Sequence, residues 1–375
     1  MLLGNSVAAD ASSIERGLQQ LWRYEGDQDQ SGQPLLCSRT LNLIICCSRD
    51  EQLKEIWELL GPISTRHPCR TLLIDTSGTQ SSANLNAQVS ATCLMSHEGN
   101  RYVGQELVAI AASHAADKRV ASLVQSLLVP ELPVFLWWRD MSNLEGELLG
   151  LLAAHATRII VDSGALTDSF KEFARLIALR QRYPSAAISD LAWARLTPWR
   201  QLTAQFFDGP MLSELQNLTH LSIGYVSDAK LESTAPAEAL LLAGWLVKQL
   251  RCATGISQQT PTVVKRQNLL IWHFDRPGGS FRVQVRPEAE VGIGITSLKL
   301  ACSDLQPCAR FLISRGEKNL TAITELPRRE PVRRVVRHGP HATGDAVCRE
   351  LEILGHDNLY ERVLEISAEL GSTAA

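Results

Sequence analysis

Between Arg39 and Tyr183, short apolar runs alternate with amphipathic stretches, and few architectures accommodate that rhythm. The run TLNLIICC (40–47) is apolar apart from Thr40 and Asn42 and has the length of a buried strand, as expected where both faces are covered. The segment DEQLKEIWELLGP follows, with Asp50 as its expected N-cap and Gly61-Pro62 as its expected stop. Further strands are expected at RTLLIDT, AQVSATCLM, ELVAIAAS, PVFLWW and TRIIVDS. Helices are expected at DKRVASLVQSLLV, EGELLGLLAAHA and SFKEFARLIALRQRY. Strands joined by helical crossovers imply a mainly parallel sheet wound on both faces. The stretch ISDLAWARLTPWRQLTAQFFD closes this part, with Pro198 just after a helix start at Thr197.

The second half has a different rhythm. LTHLSIGYV reads as a strand, and PAEALLLAGWLVKQL as a helix apolar nearly all round and therefore buried. Seven strand-like runs then follow with no helix between them, and DRPGGS joins two of them as a hairpin. FRVQVR alternates apolar and polar residues, as expected of an antiparallel strand with one wet face. Two helices end the chain, with a break at Gly355-His356-Asp357. The expected architecture is an α/β N-terminal domain, doubly wound around a mainly parallel sheet, followed by an α+β C-terminal domain with an antiparallel sheet. Residues 1–34 are expected to form a helix and a polar linker at 25–34. Residues 35–207 form the first domain and 208–375 the second, with a hinge at 208–217.

A doubly wound domain raises the question of nucleotide chemistry. The first strand–helix turn, CCSRDEQ, has no glycine, and a dinucleotide pyrophosphate needs glycine there for close backbone approach. No P-loop, G-x-S-x-G or H-E-x-x-H motif occurs. VGIGITS contains G-x-G, but no helix follows it. His338 and His341 are separated by Gly339-Pro340, which breaks any helix that would align them on a metal. No cofactor and no metal site is therefore expected. A net charge of −3 argues against a nucleic-acid partner. No window reaches the ~18 continuous apolar residues of a membrane span. MLLGNSVAAD has no basic n-region, so the cytoplasm is the expected location.

What remains are surfaces. Trp137 and Trp138 point to opposite faces of a strand, and Arg139 and Asp140 follow at its carboxyl end, where open α/β sheets place their crevices. They are either core tryptophans with a charged turn or anchors for a protein partner, since Trp and Arg are favoured there. Trp193, Arg195, Trp199 and Arg200 form a second such cluster. PRREPVRRVVRH holds Arg333, Arg334 and Arg337 in a strand. Its charge either blocks edge pairing or docks an acidic partner surface. Nine scattered cysteines with no C-x-x-C read as mostly reduced core thiols. Cys302 and Cys308 flank a five-residue loop between two strands. Residues flanking such a hairpin face each other at about 4.5–5.5 Å between Cα atoms, inside the ~4.4–6.8 Å disulfide window. Two reduced thiols at a sheet end are the other reading.

LLVPELPVFLWWRD and DLAWARLTPWRQLTAQFFD resemble the two signature stretches of the glucose-6-phosphate dehydrogenase assembly protein (OpcA) family of cyanobacteria and actinobacteria. CSRTLNLIICC and RHPCRTLLID stand in the order and spacing of that family's first domain, and Glu131 stands where the family's stretch carries Asp. The likeness spans roughly residues 35–340. It implies a non-catalytic protein that binds glucose-6-phosphate dehydrogenase, promotes its active oligomer and feeds the oxidative pentose phosphate pathway. The cysteine content implies the cyanobacterial branch, in which this activation is redox-linked and thioredoxin would act on Cys302 and Cys308. A sugar-phosphate or nucleotide enzyme on the same α/β domain is the alternative.

Overall fold

The computed structural model describes residues 5–28, 39–77, 85–95, 102–113, 116–165, 168–208, 214, 216–226, 235–266, 268–277, 279–289, 293–302, 309–338 and 343–374. By compactness these fall into two units. One comprises Met1–Asp162, Leu179–Leu191 and Ala342–His356; the other comprises Ser163–Ala178, Ala192–His341 and Asp357–Ala375.

The first unit is built on one sheet. Its strands are β1 (Asn5–Val7), β2 (Leu41–Cys47), β3 (Cys69–Asp75), β4 (Asn86–Met95), β5 (Tyr102–Ala111), β6 (Val134–Trp138), β7 (Arg158–Val161) and β8 (Ala187–Asp190). They lie in the order β1-β4-β5-β3-β2-β6-β7-β8. The six parallel strands, numbered by their own succession, follow 3-2-1-4-5-6, which is the doubly wound order of dinucleotide-binding sheets. β4 and β1 extend one edge in antiparallel sense. Every residue of β2 and β6 is buried, which is why these strands read as nearly continuous apolar runs, Asn42 of β2 being the polar residue in them.

The chain's first helices are α1 (Ala11–Gln28), α2 (Asp50–Arg66), α3 (Asp117–Leu127) and α4 (Glu147–Ala153), with α5 (Ser169–Arg182) beyond them. Right-handed crossovers send α2 to one face and α3 and α4 to the other, because the strand order reverses between β2 and β6. α3 packs beside α4 accordingly. Three expectations need correction. α1 runs through residue 28, so the expected linker at 25–34 begins inside a helix. α2 begins at Asp50, with Arg49 in the cap position, and it does not stop at Gly61-Pro62. Pro62 forfeits one amide bond, but the extra turn buries Ile63 in line with Ile56 and Leu60, and Thr65 Oγ1 donates to the Gly61 carbonyl at 2.8 Å. Burial of that stripe outweighs one lost bond.

The second unit carries α6 (Leu191–Arg195, whose first residue belongs to the other unit), α7 (Thr197–Gln205), β9 (His220–Val226) and α8 (Ala237–Thr254). β10 (Thr262–Arg266), β11 (Leu269–Arg276), β12 (Gly279–Pro287) and β13 (Gly294–Ala301) follow, then β14 (Arg310–Arg315), β15 (Asn319–Glu325) and β16 (Val332–Arg337). Their order is β10-β11-β12-β9-β13-β14-β15-β16, antiparallel except for β9 beside β12. α9 (Thr343–Leu351) belongs to the first unit, where it packs on α2, and α10 (Asn358–Ala374) belongs to the second. α8 and α10 pair over one face of the second sheet. Trp272, Phe274, Phe281, Val283, Leu298, Phe311 and Ile313 fill that face and are buried. α8 ends at Gly255, whose left-handed φ of 67° suits a helix stop. Gly244 lets α8 approach α10 closely: a Cβ there would stand 2.3 Å from Ser367 Oγ.

Candidate functional site

In a doubly wound sheet the ligand crevice opens at the carboxyl ends of the strands where the order reverses. Here that point lies between β2 and β6, at Cys46, Cys47 and Ser48 on one side and Trp138, Arg139 and Asp140 on the other. The Arg139 amide donates to the Cys46 carbonyl at 3.1 Å, carrying the ladder one step past the strand end. α2 starts just beyond, but its first turn is tied to the chain itself. Gln52 Oε1 accepts from the Ser48 amide at 3.2 Å, and Gln52 Nε2 donates to the Arg139 carbonyl at 3.0 Å. Arg139 Nη1 returns a bond to the Gln52 carbonyl at 3.2 Å. The same guanidinium is ion-paired with Glu55 and stacks on the Trp137 ring at 5.2 Å.

A dinucleotide would need glycines in this turn and free amides at the head of α2. The turn offers Ser48-Arg49-Asp50-Glu51 and the Gln52–Arg139 clasp instead, so these residues do not fit that cofactor. Nor are the thiols nucleophiles. Burial pushes Cys46 well above the ordinary thiol range, and burial likewise lifts Cys47 to about 12 and Cys69 to about 11. All three remain protonated near neutral pH. Among the described residues, no group of three or more His, Cys, Asp or Glu side chains could hold a metal.

The aromatic candidates prove to be packed. Trp137 and Trp138 are both buried, and the Trp138 indole donates to the Asp140 carbonyl at 2.7 Å. Asp140 also accepts from Ser142 Oγ at 2.5 Å. Trp193 and Trp199 are buried as well. Trp193 Nε1 donates to Asp357 Oδ2 at 2.9 Å and lies against Tyr360, so the head of α10 is tied to α6. Arg200 stacks on Trp193 at 3.6 Å, and Arg195 binds Glu238, in the first turn of α8, at 2.7 Å. Trp199 meets His338 edge-on at 6.4 Å. The second signature stretch thus fastens α6 to the heads of α8 and α10, and sets α7 against α6 and the end of β16.

The arginines of β16 are different, since Val332–Arg337 are exposed throughout. Arg334 reaches Gln205 Oε1 at 3.3 Å. Cys302 is buried at the end of β13, with its thiol 3.3 Å from the Ala309 carbonyl. Cys308 lies outside the described residues.

Two buried clusters had no sequence motif. The Arg158 side chain is fully buried at the start of β7, 3.6 Å from Glu350, and also bonded to Ser189 and the Gly355 carbonyl. Ser189 Oγ in turn donates to Glu350 Oε2 at 2.6 Å. Glu106 on β5 takes Arg70 Nε at 2.7 Å, the Trp22 indole at 2.8 Å and Arg39. An arginine opening an otherwise apolar strand, as in TRIIVDS and CRTLLID, was the available signal.

These observations define a class: a chain with a sheet of dinucleotide-enzyme order whose ligand crevice is fastened by its own side chains, and an antiparallel unit with an arginine-lined edge. Residues 61–178 match the glucose-6-phosphate dehydrogenase subunit N-terminal domain, and residues 186–364 match the corresponding C-terminal domain, both of the OpcA type. The chain belongs to the OpcA family. It is 26% identical over 321 residues to a putative OxPP cycle protein OpcA of Synechocystis, covering 81% of this chain and 64% of that one. It is 31% identical over 190 residues to the protein of the same description from Nostoc punctiforme, covering 50% and 39%. The chain thus spans less than two thirds of the length of these curated relatives. In fold it is similar to the transcriptional regulator Gal80p of Kluyveromyces lactis, with a TM-score of 0.50 at 9% identity over 95% of this chain and 96% of that one.

Proposed function

We propose that this chain is a non-catalytic assembly factor and allosteric activator of glucose-6-phosphate dehydrogenase, serving the oxidative pentose phosphate pathway. The observation that carries this reading is the match of residues 61–178 and 186–364 to the two domains of the dehydrogenase-subunit family. The Gln52–Arg139 clasp supports it, because it fills the turn that a nucleotide enzyme on this sheet would use. The partner is the dehydrogenase oligomer, and the exposed residues Arg333, Arg334 and Arg337 are the candidates of choice for meeting it. No described helix is long and apolar enough to cross a membrane, and the proposed working place is the cytoplasm, with the dehydrogenase.

An activator raises the active population only by binding it more tightly than the inactive one. Adding the chain to the dehydrogenase of the same organism should lower the substrate concentration for half-maximal rate and enrich the larger oligomer on size exclusion. Unchanged kinetics without co-elution would remove the proposal. Turnover of sugar phosphates by the chain alone would favour the enzyme alternative. Redox control belongs to the same proposal: thioredoxin would reduce a Cys302–Cys308 disulfide and weaken activation. Mass spectrometry of oxidised protein tests the first step, which fails if no peptide links the two cysteines.

A further inference from the structure

β16 ends the second sheet, so one side of its backbone pairs with β15 and the other side is an edge. The register fixes which amides face outward. The His338 amide donates to the Lys318 carbonyl at 2.9 Å, and these two residues continue the Arg337↔Asn319 register by one step. Antiparallel pairs alternate between bonded and non-bonded. The residues of β16 bonded to β15 are therefore Val336, Arg334 and Val332. The amides and carbonyls of Arg333, Val335 and Arg337 point away from the sheet.

The side chains along this edge are unusual in two ways. Val332, Val335 and Val336 are 54%, 55% and 39% exposed, an apolar display that folding leaves uncovered. Arg333 and Arg337 flank Val335 on one face and make no ion pair among the described residues, while Arg334 lies on the other face. Edge strands are usually blunted by charge. Here every charge on the strand is positive, so it repels some partners and selects others. A second copy is a poor occupant: two β16 strands side by side would set six arginines across a spacing of ~4.8 Å. An acidic strand meets opposite charge at the same positions and covers the valines.

We propose that β16 accepts an extended acidic segment of a partner protein as an added strand, paired to the outward amides of Arg333, Val335 and Arg337. Carboxylates of that segment face Arg333 and Arg337, and an apolar residue between them covers Val335. This surface deepens the assembly-factor reading, on which the identity of the partner rests. Its test leaves the dehydrogenase out, so the two can fail separately.

The probe is a capped, fluorescently labelled peptide, Thr-Glu-Val-Val-Glu-Glu-Thr, titrated with the full chain and followed by anisotropy. Saturable binding that weakens with added salt is expected, with none for the peptide in which Lys replaces Glu. The R333E/R337E variant should lower the affinity by roughly tenfold or more, as reversal of interface charge does. Val335→Pro removes an outward donor while sparing the bonds to β15, and should abolish binding in protein with an unchanged melting temperature. A folded Val335→Pro protein that binds as well as the parent overturns strand addition. Absence of binding to the parent chain overturns the proposal outright and leaves the arginines as guards of an edge.

Discussion

Gln52 and Arg139 exchange two hydrogen bonds between the first turn of α2 and the end of β6, each giving one donor and one carbonyl. This closes the mouth of the parallel sheet from within. Truncating Arg139 to Ala removes the bond to the Gln52 carbonyl, the Glu55 ion pair and the stack on Trp137 together. The expected cost is about 1–3 kcal/mol of stability, in the range of a charged hydrogen bond left unmade. Urea melts of the variant check this. A fold of parental stability combined with lost dehydrogenase affinity would instead return Arg139 to a contact surface. In isothermal titration the parent chain should bind neither NADP⁺ nor NAD⁺.

The pair Arg158–Glu350 predicts a non-additive double mutant. Arg158 is fully buried, so Glu350→Leu takes the carboxylate away from a guanidinium in the core, at an expected cost of about 3–5 kcal/mol. Replacing both residues by Leu removes charge and counter-charge together, and should cost clearly less than the single change. Additive losses in the cycle would show that the two charges act independently.

How far the sequence was legible follows from what each signal depends on. The parallel sheet was readable because β2 and β6 are covered on both faces and are apolar nearly throughout, with Asn42 the polar residue in β2. The antiparallel sense of β4 was not, because pairing partners are set by tertiary contacts rather than by local pattern. Trp57 fits an apolar helical stripe on paper but is 39% exposed, since the stripe that packs runs through Ile56, Leu60 and Ile63. Arg139 looked like a crevice rim because Glu55, the partner that neutralises it, lies 84 residues away in sequence. The exposure of Arg333 and Arg337 on a strand was legible, because repeated charges on a strand need no distant partner to explain them.

Glu106 gives the stability a defined pH dependence. Burial alone would raise its carboxyl; Arg70, with the bonds from Trp22 and Arg39, overrides this and holds it below the ordinary glutamate range. A carboxyl depressed in the folded state adds stability that is present above its unfolded value, about 4.3. That contribution is lost as pH falls through the folded value. Glu106→Gln should therefore flatten the acid limb of the stability curve below about pH 4.3 as well as lowering the plateau. Parallel curves for parent and variant would assign the acid limb to other groups.

Glu131 is the last test, and it concerns the loop that carries the first signature stretch. Its φ is 65°, a left-handed conformation that costs an ordinary side chain about 1–2 kcal/mol and Asp, Asn or Gly much less. The loop is held in place from below. The buried Asn42 accepts from the Val129 amide at 2.8 Å and donates to the Val129 carbonyl at 3.0 Å. Pro130 precedes Glu131 and presets the turn, so the chain has little freedom to relax. Glu131→Asn should then raise stability by about 0.5–1 kcal/mol, because Asn lowers the conformational cost without loosening the unfolded chain as Gly would. Glu131→Val should lower it, since a β-branched residue tolerates positive φ worst. Asn42→Ala would free the loop and leave the Val129 amide without its acceptor, costing about 1–3 kcal/mol. In that background the gain from Glu131→Asn should shrink, because the loop could then leave the left-handed conformation. A gain of the same size in both backgrounds would mean that Asn42 does not hold Glu131 in that conformation.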